Sequence, residues 1–128
     1  MALVVDVSKR TQGDSQISSI VRLTGELDQD TSAIADRETK NVFNEPCRVV
    51  VFDLAGLTFV TSAGVAWLLA SRRTLEMRGA SVYFSSPRPA IRRVLEIMKA
   101  LPMSSVFTNE AELDAYLAEI QRKVSEGE

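Results

Sequence analysis

Apolar positions along this chain change rhythm repeatedly, from strand-like alternation to helical spacing and back. Leu3 to Val7 is a short β-rich run. The polar stretch SKRTQGDSQ, Ser8 to Gln16 around a central glycine, reads as a hairpin connection. Ile17 to Leu23 then alternates, with Ile20, Val21 and Leu23 among polar neighbours. Thr31 to Phe43 has helical character, its start marked by the Asp and Thr residues of LDQDTSA and its end by Asn44 and Pro46. Arg48 to Leu54, RVVVFDL, is a nearly continuous apolar run of the kind buried on both faces. Ser62 to Arg78 predicts a helix closed by Gly79, and Ser81 to Phe84, SVYF, a second buried strand. SSPRPAIRRVLEIMKAL follows as a helix with serine caps and prolines confined to its first turn. A short strand at Ser105 to Phe107 precedes a last helix, opened by Asn109 and Glu112 in capping-box spacing. Leu113, Leu117, Ile120 and Val124 share one face of that helix, and residues 125–128, SEGE, read as a frayed tail.

Strands alternating with helices of this length imply right-handed crossovers and a largely parallel sheet, hence one α/β domain spanning residues 1–128. If the strands at 17–23, 48–54 and 81–84 are parallel, their C-terminal ends share an edge. The segments leaving that edge, TGELDQD, AGLTFVTSAG and SSPRP, bring Asp28, Thr61, Ser62, Ser85 and Ser86 into one neighbourhood. Such edges commonly carry function in α/β folds.

Composition narrows the chemistry. The chain has no histidine, which excludes a Ser–His or Cys–His nucleophile pair within it, and the single Cys47 with no histidine cannot anchor the usual zinc sites. Neither a P-loop nor a GxGxxG fingerprint occurs. No cofactor or metal is expected, nor a self-sufficient enzyme. A formal net charge of −2 gives no general attraction to nucleic acid or anionic lipid. No apolar run approaches the ~20 residues of a membrane span, and MALVVDVSKR lacks the form of a signal peptide. The expected location is cytoplasmic.

Ser62 stands where a strand-like phrase runs into a helix, FVTSAGVAWLLASRR. Its hydroxyl can cap the helix, or remain accessible for phosphorylation at a helix start whose dipole tolerates a phosphate. A hydrolase elbow requires G-x-S-x-G, and Val60 occupies the first glycine position. On a helical wheel Val65, Leu68, Leu69 and Leu75 gather on one side and Trp67 falls roughly opposite. Trp67 is therefore either an interface anchor or a residue packed against a neighbouring helix. Arg88, Arg92 and Arg93 form a modest basic patch, read as a solvated face or an attraction for an acidic partner.

RLTGELD (Arg22 to Asp28), DLAGLTFVTSAG (Asp53 to Gly64) and GASVYFSSPRPAIRRVLEIMKA (Gly79 to Ala100) resemble a STAS domain, most closely the stand-alone bacterial anti-sigma factor antagonists. The resemblance runs in order from Val4 to Leu117. It implies a mixed, mostly parallel sheet of four to five strands with about four helices chiefly on one face. The family motif D-S-[ST]-G, aligned on Gly64, puts Ser62 on the phosphorylated serine, with Thr61 where the family has Asp and Ala63 where it has Ser or Thr. Thr61 is the alternative acceptor. The implied cycle is partner switching in a stress response. The unmodified protein binds an anti-sigma factor with GHKL-type serine kinase activity, the sigma factor is released, phosphorylation breaks the complex, and a PP2C-type phosphatase restores it. The implied docking face comprises Glu26, Asp28, Thr61, Ser62, Ala63, Gly64, Trp67 and Ser86. Two further roles stay open, a scaffold or sensor subunit of a signalling assembly and an accessory domain on a membrane transporter.

Overall fold

The structure, a computed structural model, describes residues 2–12, 16–44, 48–98 and 106–126. In chain order the elements are β1 (Leu3–Gln12), β2 (Gln16–Leu27), α1 (Gln29–Asn44), β3 (Val49–Val60), α2 (Ser62–Met77), β4 (Ser81–Ser85), α3 (Pro89–Met98), β5 (Val106–Phe107) and α4 (Glu110–Glu126). The five strands lie in the sheet in the order β1-β2-β3-β4-β5. β1 pairs antiparallel with β2, and every later pairing is parallel. This is the mixed, mostly parallel α/β sheet with four helices that the family resemblance implies.

Strand alternation divides the apolar residues between two faces. Val21, Leu23, Val50, Phe52, Val82, Phe84 and Val106 join Ala35 of α1, Val65, Leu68 and Leu75 of α2, and Ile91 and Leu95 of α3 in the larger core. Their strand neighbours Ile20, Val51 and Phe107 point the other way, towards Leu113 of α4. Three helices thus cover one face and α4 the other. Phe52 is fully buried at the centre of the larger core, stacked on Phe84 at 5.3 Å and edge-on to Phe43 and Trp67. Burying one such ring contributes about 1.5–3 kcal/mol.

Three expectations are corrected here. AGLTFV is strand, not loop: β3 runs on to Val60 because Leu57 and Val60 bury into the core and β2 extends beside them to Leu27. Two register shifts, between Arg22 and Thr24 and between Gly25 and Glu26, absorb the extra β3 residues as bulges. Secondly, α4 continues through Ser125 to Glu126, where a frayed tail was expected. The third correction concerns Trp67, which is not opposite the core but 8% exposed within it. It stacks on Phe43 of α1 at 6.5 Å, and its indole Nε1 donates to Asp36 Oδ1 at 2.8 Å. α2 packs on the sheet and on α1 together, so its apolar face is wider than a single stripe, and Trp67 fills the second flank. An anchor for a partner must be accessible, and Trp67 is withdrawn from that role.

The start of α3 is also corrected: Pro89 takes its first position, where its missing N–H costs no hydrogen bond, Arg88 rather than a serine stands at the cap, and Ser85, Ser86 and Pro87 precede the helix. Asn109 Oδ1 accepts from the Glu112 N–H at 2.8 Å, as the capping spacing predicts. Cys47, Lys99 to Leu101 and Ser105 lie outside the described residues.

Candidate functional site

The edge formed by the C-terminal ends of β2, β3 and β4 gathers the predicted site. β2 ends where Asp28 caps α1. Its Oδ1 accepts from the Thr31 N–H at 2.9 Å, and Thr31 Oγ1 accepts in return from the Asp28 N–H at 2.9 Å. Thr31 Oγ1 also lies 2.8 Å from the Glu26 carbonyl, to which it donates. The backbone N–H of Thr31 bonding to the carboxylate is the main reason that Asp28 titrates below its ordinary value of 3.8.

A depressed carboxylate pKa means that the stability from this cap is present at neutral pH and fades as pH falls through the folded-state value, below 3.8. Asp28→Asn keeps a capping oxygen and loses the charge. In thermal melts from pH 7 to pH 2.5, the wild type should lose more stability in the acid limb than Asp28→Asn. Parallel curves would remove Asp28 as the source.

β3 ends one residue before the α2 cap, which belongs to Thr61 rather than Ser62. Thr61 has extended backbone, φ −99 and ψ 174, and its Oγ1 accepts from the Gly64 N–H at 3.3 Å. Asp and Thr are both good caps, so threonine in the motif's Asp position keeps the helix start. The Thr61 N–H donates to the Leu27 carbonyl at 3.0 Å, tying the two strand ends together. That carbonyl also explains Gly64: a Cβ there would lie 2.3 Å from it. Ser62, the first helical residue, is exposed and makes no side-chain hydrogen bond to the described residues. Ala63 is half-buried, and Gly64 is buried, fixing α2 against β2 rather than offering surface.

From β4, Ser85 is buried. Ser86 is half-buried in the left-handed region at φ 58, its N–H donating to the Phe107 carbonyl at 2.9 Å. Arg88 donates through Nε to the Ala55 carbonyl at 3.0 Å, which holds the β4–α3 connection against β3. Sequence reasoning missed Phe59, which is 51% exposed three residues before Ser62. Strand alternation would not have exposed it, because Leu57 and Phe59 share parity, and only the register shift between Gly25 and Glu26 turns Phe59 outward while Leu57 and Val60 stay buried.

Among the described residues the edge is a rim of hydroxyls and carboxylates with the exposed ring of Phe59. A cleft of about 380 Å³ lies at the opposite end of β4, lined by Glu76, Ser81, Tyr83 and Tyr116. Among the described residues no group of three or more His, Cys, Asp or Glu side chains could hold a metal ion. No helix among them is long and apolar enough to cross a membrane.

Residues 7–113 match the STAS domain family model. The chain belongs to the STAS domain family. Among curated relatives, an anti-sigma F factor antagonist of Lysinibacillus sphaericus is 28% identical over 96 residues, 74% of this chain and 82% of that protein. Among solved structures, the anti-sigma factor antagonist SpoIIAA in its unphosphorylated form superposes with a TM-score of 0.67 at 20% identity, covering 92% of this chain and 97% of that one. Its phosphorylated form, described as a Bacillus cell fate determinant, gives 0.62 at 19% identity, covering 86% and 99%. The murine anion transporter Slc26a9 contains a similar fold, with a TM-score of 0.70 at 15% identity over 88% of this chain and 22% of that one.

Proposed function

We propose that this protein is an anti-sigma factor antagonist, a binding protein without catalysis of its own, switched off by phosphorylation of Ser62. The observation that carries the reading is the division of labour at the start of α2. Thr61 spends its hydroxyl on the helix cap, and Ser62 keeps an exposed hydroxyl beside it. The partner is an anti-sigma factor with GHKL-type serine kinase activity, and a PP2C-type phosphatase reverses the modification in the cytoplasm. The solved SpoIIAA pair, one phosphorylated and one not, supports a modification cycle for this fold.

The chemistry is a phosphoryl transfer. Ser62 Oγ attacks the γ-phosphorus of ATP, ADP leaves, and the serine proton passes to a base of the kinase. The product adds roughly −1.5 to −2 charges near neutral pH. Within the complex that phosphate faces the phosphates of the ADP just formed, and burying it in a docking face costs desolvation. Glu26 and Asp28 already make the edge acidic. The helix dipole tolerates the phosphate locally, so release follows without unfolding.

Incubation with the cognate kinase and ATP should modify the wild type and leave Ser62→Ala unmodified while that variant still binds. Phosphate mapped by mass spectrometry to Thr61 or Ser86 would overturn the assignment, and equal calorimetric affinity of modified and unmodified protein would overturn the switch. The Slc26a9 likeness favours a second reading, an accessory domain of a transporter. A pull-down from the native cell that retrieves a membrane transporter instead of an anti-sigma factor would select it.

A further inference from the structure

β1 borders the sheet, with β2 as its neighbouring strand among the described residues, and at 10 residues it is long for an edge. Its pairing with β2 is unbroken from Leu3↔Gly25 to Gln12↔Gln16, with no bulge and no proline to blunt the border. The Glu26 N–H donates to the Ala2 carbonyl at 3.3 Å, so the backbone groups of Ala2, Val4, Asp6 and Ser8 turn towards β2. By alternation the N–H and C=O of Leu3, Val5 and Val7 turn outward. The side chains of Val5 and Val7 pack against the larger core yet stay half-buried, which leaves the flank of that core open at this border. On the other face Val4 is 60% exposed and the Asp6 side chain 71%. The opposite border, β5, is 2 residues long and offers no comparable template.

We propose that this border is a homodimer interface, in which β1 of one copy pairs antiparallel with β1 of a second and joins two five-stranded sheets into one. The strand's own sequence selects the register. Outward-facing residues hydrogen-bond only to outward-facing residues, so the two-fold axis passes through a residue rather than between two. An axis at Asp6 sets two carboxylates opposite each other, and an axis at Lys9 sets two ammonium groups opposite, both destabilising. An axis at Val5 pairs only the start of the strand, and an axis at Ser8 carries Leu3 past the end of β1. An axis at Val7 has none of these faults. It sets Val7 against its counterpart and Asp6 against the Ser8 hydroxyl of the second copy. Val5 and Val7 of both copies then meet across the axis on the helix side and close the open flank of each core. This match of the strand with itself singles out a second copy as the occupant, and a closed two-fold stops the assembly at two chains. The axis stands perpendicular to the sheet, which keeps α1, α2 and α3 on one face in both copies. It also turns the two Ser62 rims to opposite ends, where both stay accessible. Dimerisation therefore goes beyond the antagonist reading and does not depend on it.

Sedimentation equilibrium of the wild type at rising concentration should move the average mass from one chain towards two, and no further. A mass of one chain up to millimolar protein would overturn the proposal, and so would growth beyond two. Amide exchange followed by NMR on the same samples reads the border directly. The Val5 and Val7 N–H groups should exchange fast in dilute protein and roughly tenfold or more slowly in the dimer, while those of Val4 and Asp6 are protected in both. A dimer in which Val5 and Val7 stay fast would put the contact elsewhere and overturn the assignment. Val7→Lys and Val7→Glu each set like charges on the axis, so each alone should stay monomeric, and an equimolar mixture should regain the dimer mass. Val7→Pro removes an outward donor, leaves the β2 ladder intact and should also stay monomeric. Melting temperature is the fold control for each variant. Either charge variant dimerising alone, a mixture that stays monomeric, or a Val7→Pro protein that dimerises like the wild type would sink the Val7 axis. The exchange pattern of the wild type decides the case even where a variant fails to fold.

Discussion

Replacing Trp67 by Ala should destabilise the folded protein by roughly 3–5 kcal/mol, the range for truncating a large aromatic in a packed core. Trp67 bridges Phe43 of α1 and Phe52 of β3, and its indole N–H is held by Asp36, so one truncation opens a cavity and frees a helix–helix contact. Against a total stability of about 5–15 kcal/mol, that is a large fraction. Trp67→Phe keeps one aromatic ring but loses the hydrogen bond and part of the indole volume, so it should cost less than the alanine change, about 1–3 kcal/mol. Chemical denaturation measures both. Because Trp67 is the chain's only tryptophan, its emission should be blue-shifted and quencher-protected in the free protein, and a red, freely quenched emission would contradict its burial.

Gly64→Ala should be nearly as disruptive by a different route. Alanine is the better helix former by about 1 kcal/mol, so a helical glycine with space around it would gain from the change. Here the new methyl would sit 2.3 Å from the Leu27 carbonyl, a backbone atom that cannot rotate away, and 2.8 Å from Val60. The helix start must move, breaking the Thr61-to-Leu27 hydrogen bond, and overpacking of this kind costs about 1–3 kcal/mol. Melting temperature should fall, and phosphorylation of Ser62 should slow because its hydroxyl is displaced. A variant as stable as the wild type would show that the α2 start is looser than the Leu27 contact requires.

What the sequence revealed of this site depended on how local each signal was. The Asp28 and Thr31 cap was legible because both partners lie within one turn, and so was the Asn109 start of α4. The edge itself followed from alternation of strands and helices. Phe59 was missed because Ala55 and Gly56 interrupt the apolar run of β3, and the strand is sustained past them only by pairing with Gly25, Glu26 and Leu27. Trp67 was open to two readings because a helical wheel shows a residue's side of the helix but not how many neighbours flank it. The α2 cap fell to Thr61 rather than Ser62 because two adjacent hydroxyl residues both suit a cap, and only the extended backbone of Thr61 decides between them. Gly64 resembled a motif position in sequence, and the crowding that demands glycine there comes from β2, more than thirty residues away.

Strand order in this sheet equals order of synthesis, from β1 to β5. No strand inserts between two earlier ones, so every addition joins an edge already in place, and loop closure never spans more than one helix and its connections. The cost of bringing distant segments together is correspondingly small for a sheet that is mostly parallel. The chain can assemble as it emerges, a hairpin first and then one strand with its helix at a time. Only the face beneath α4 waits: Ile20, Val51 and Phe107 remain uncovered until the final helix is made. The interval before that last closure is when this protein is most exposed to unwanted association.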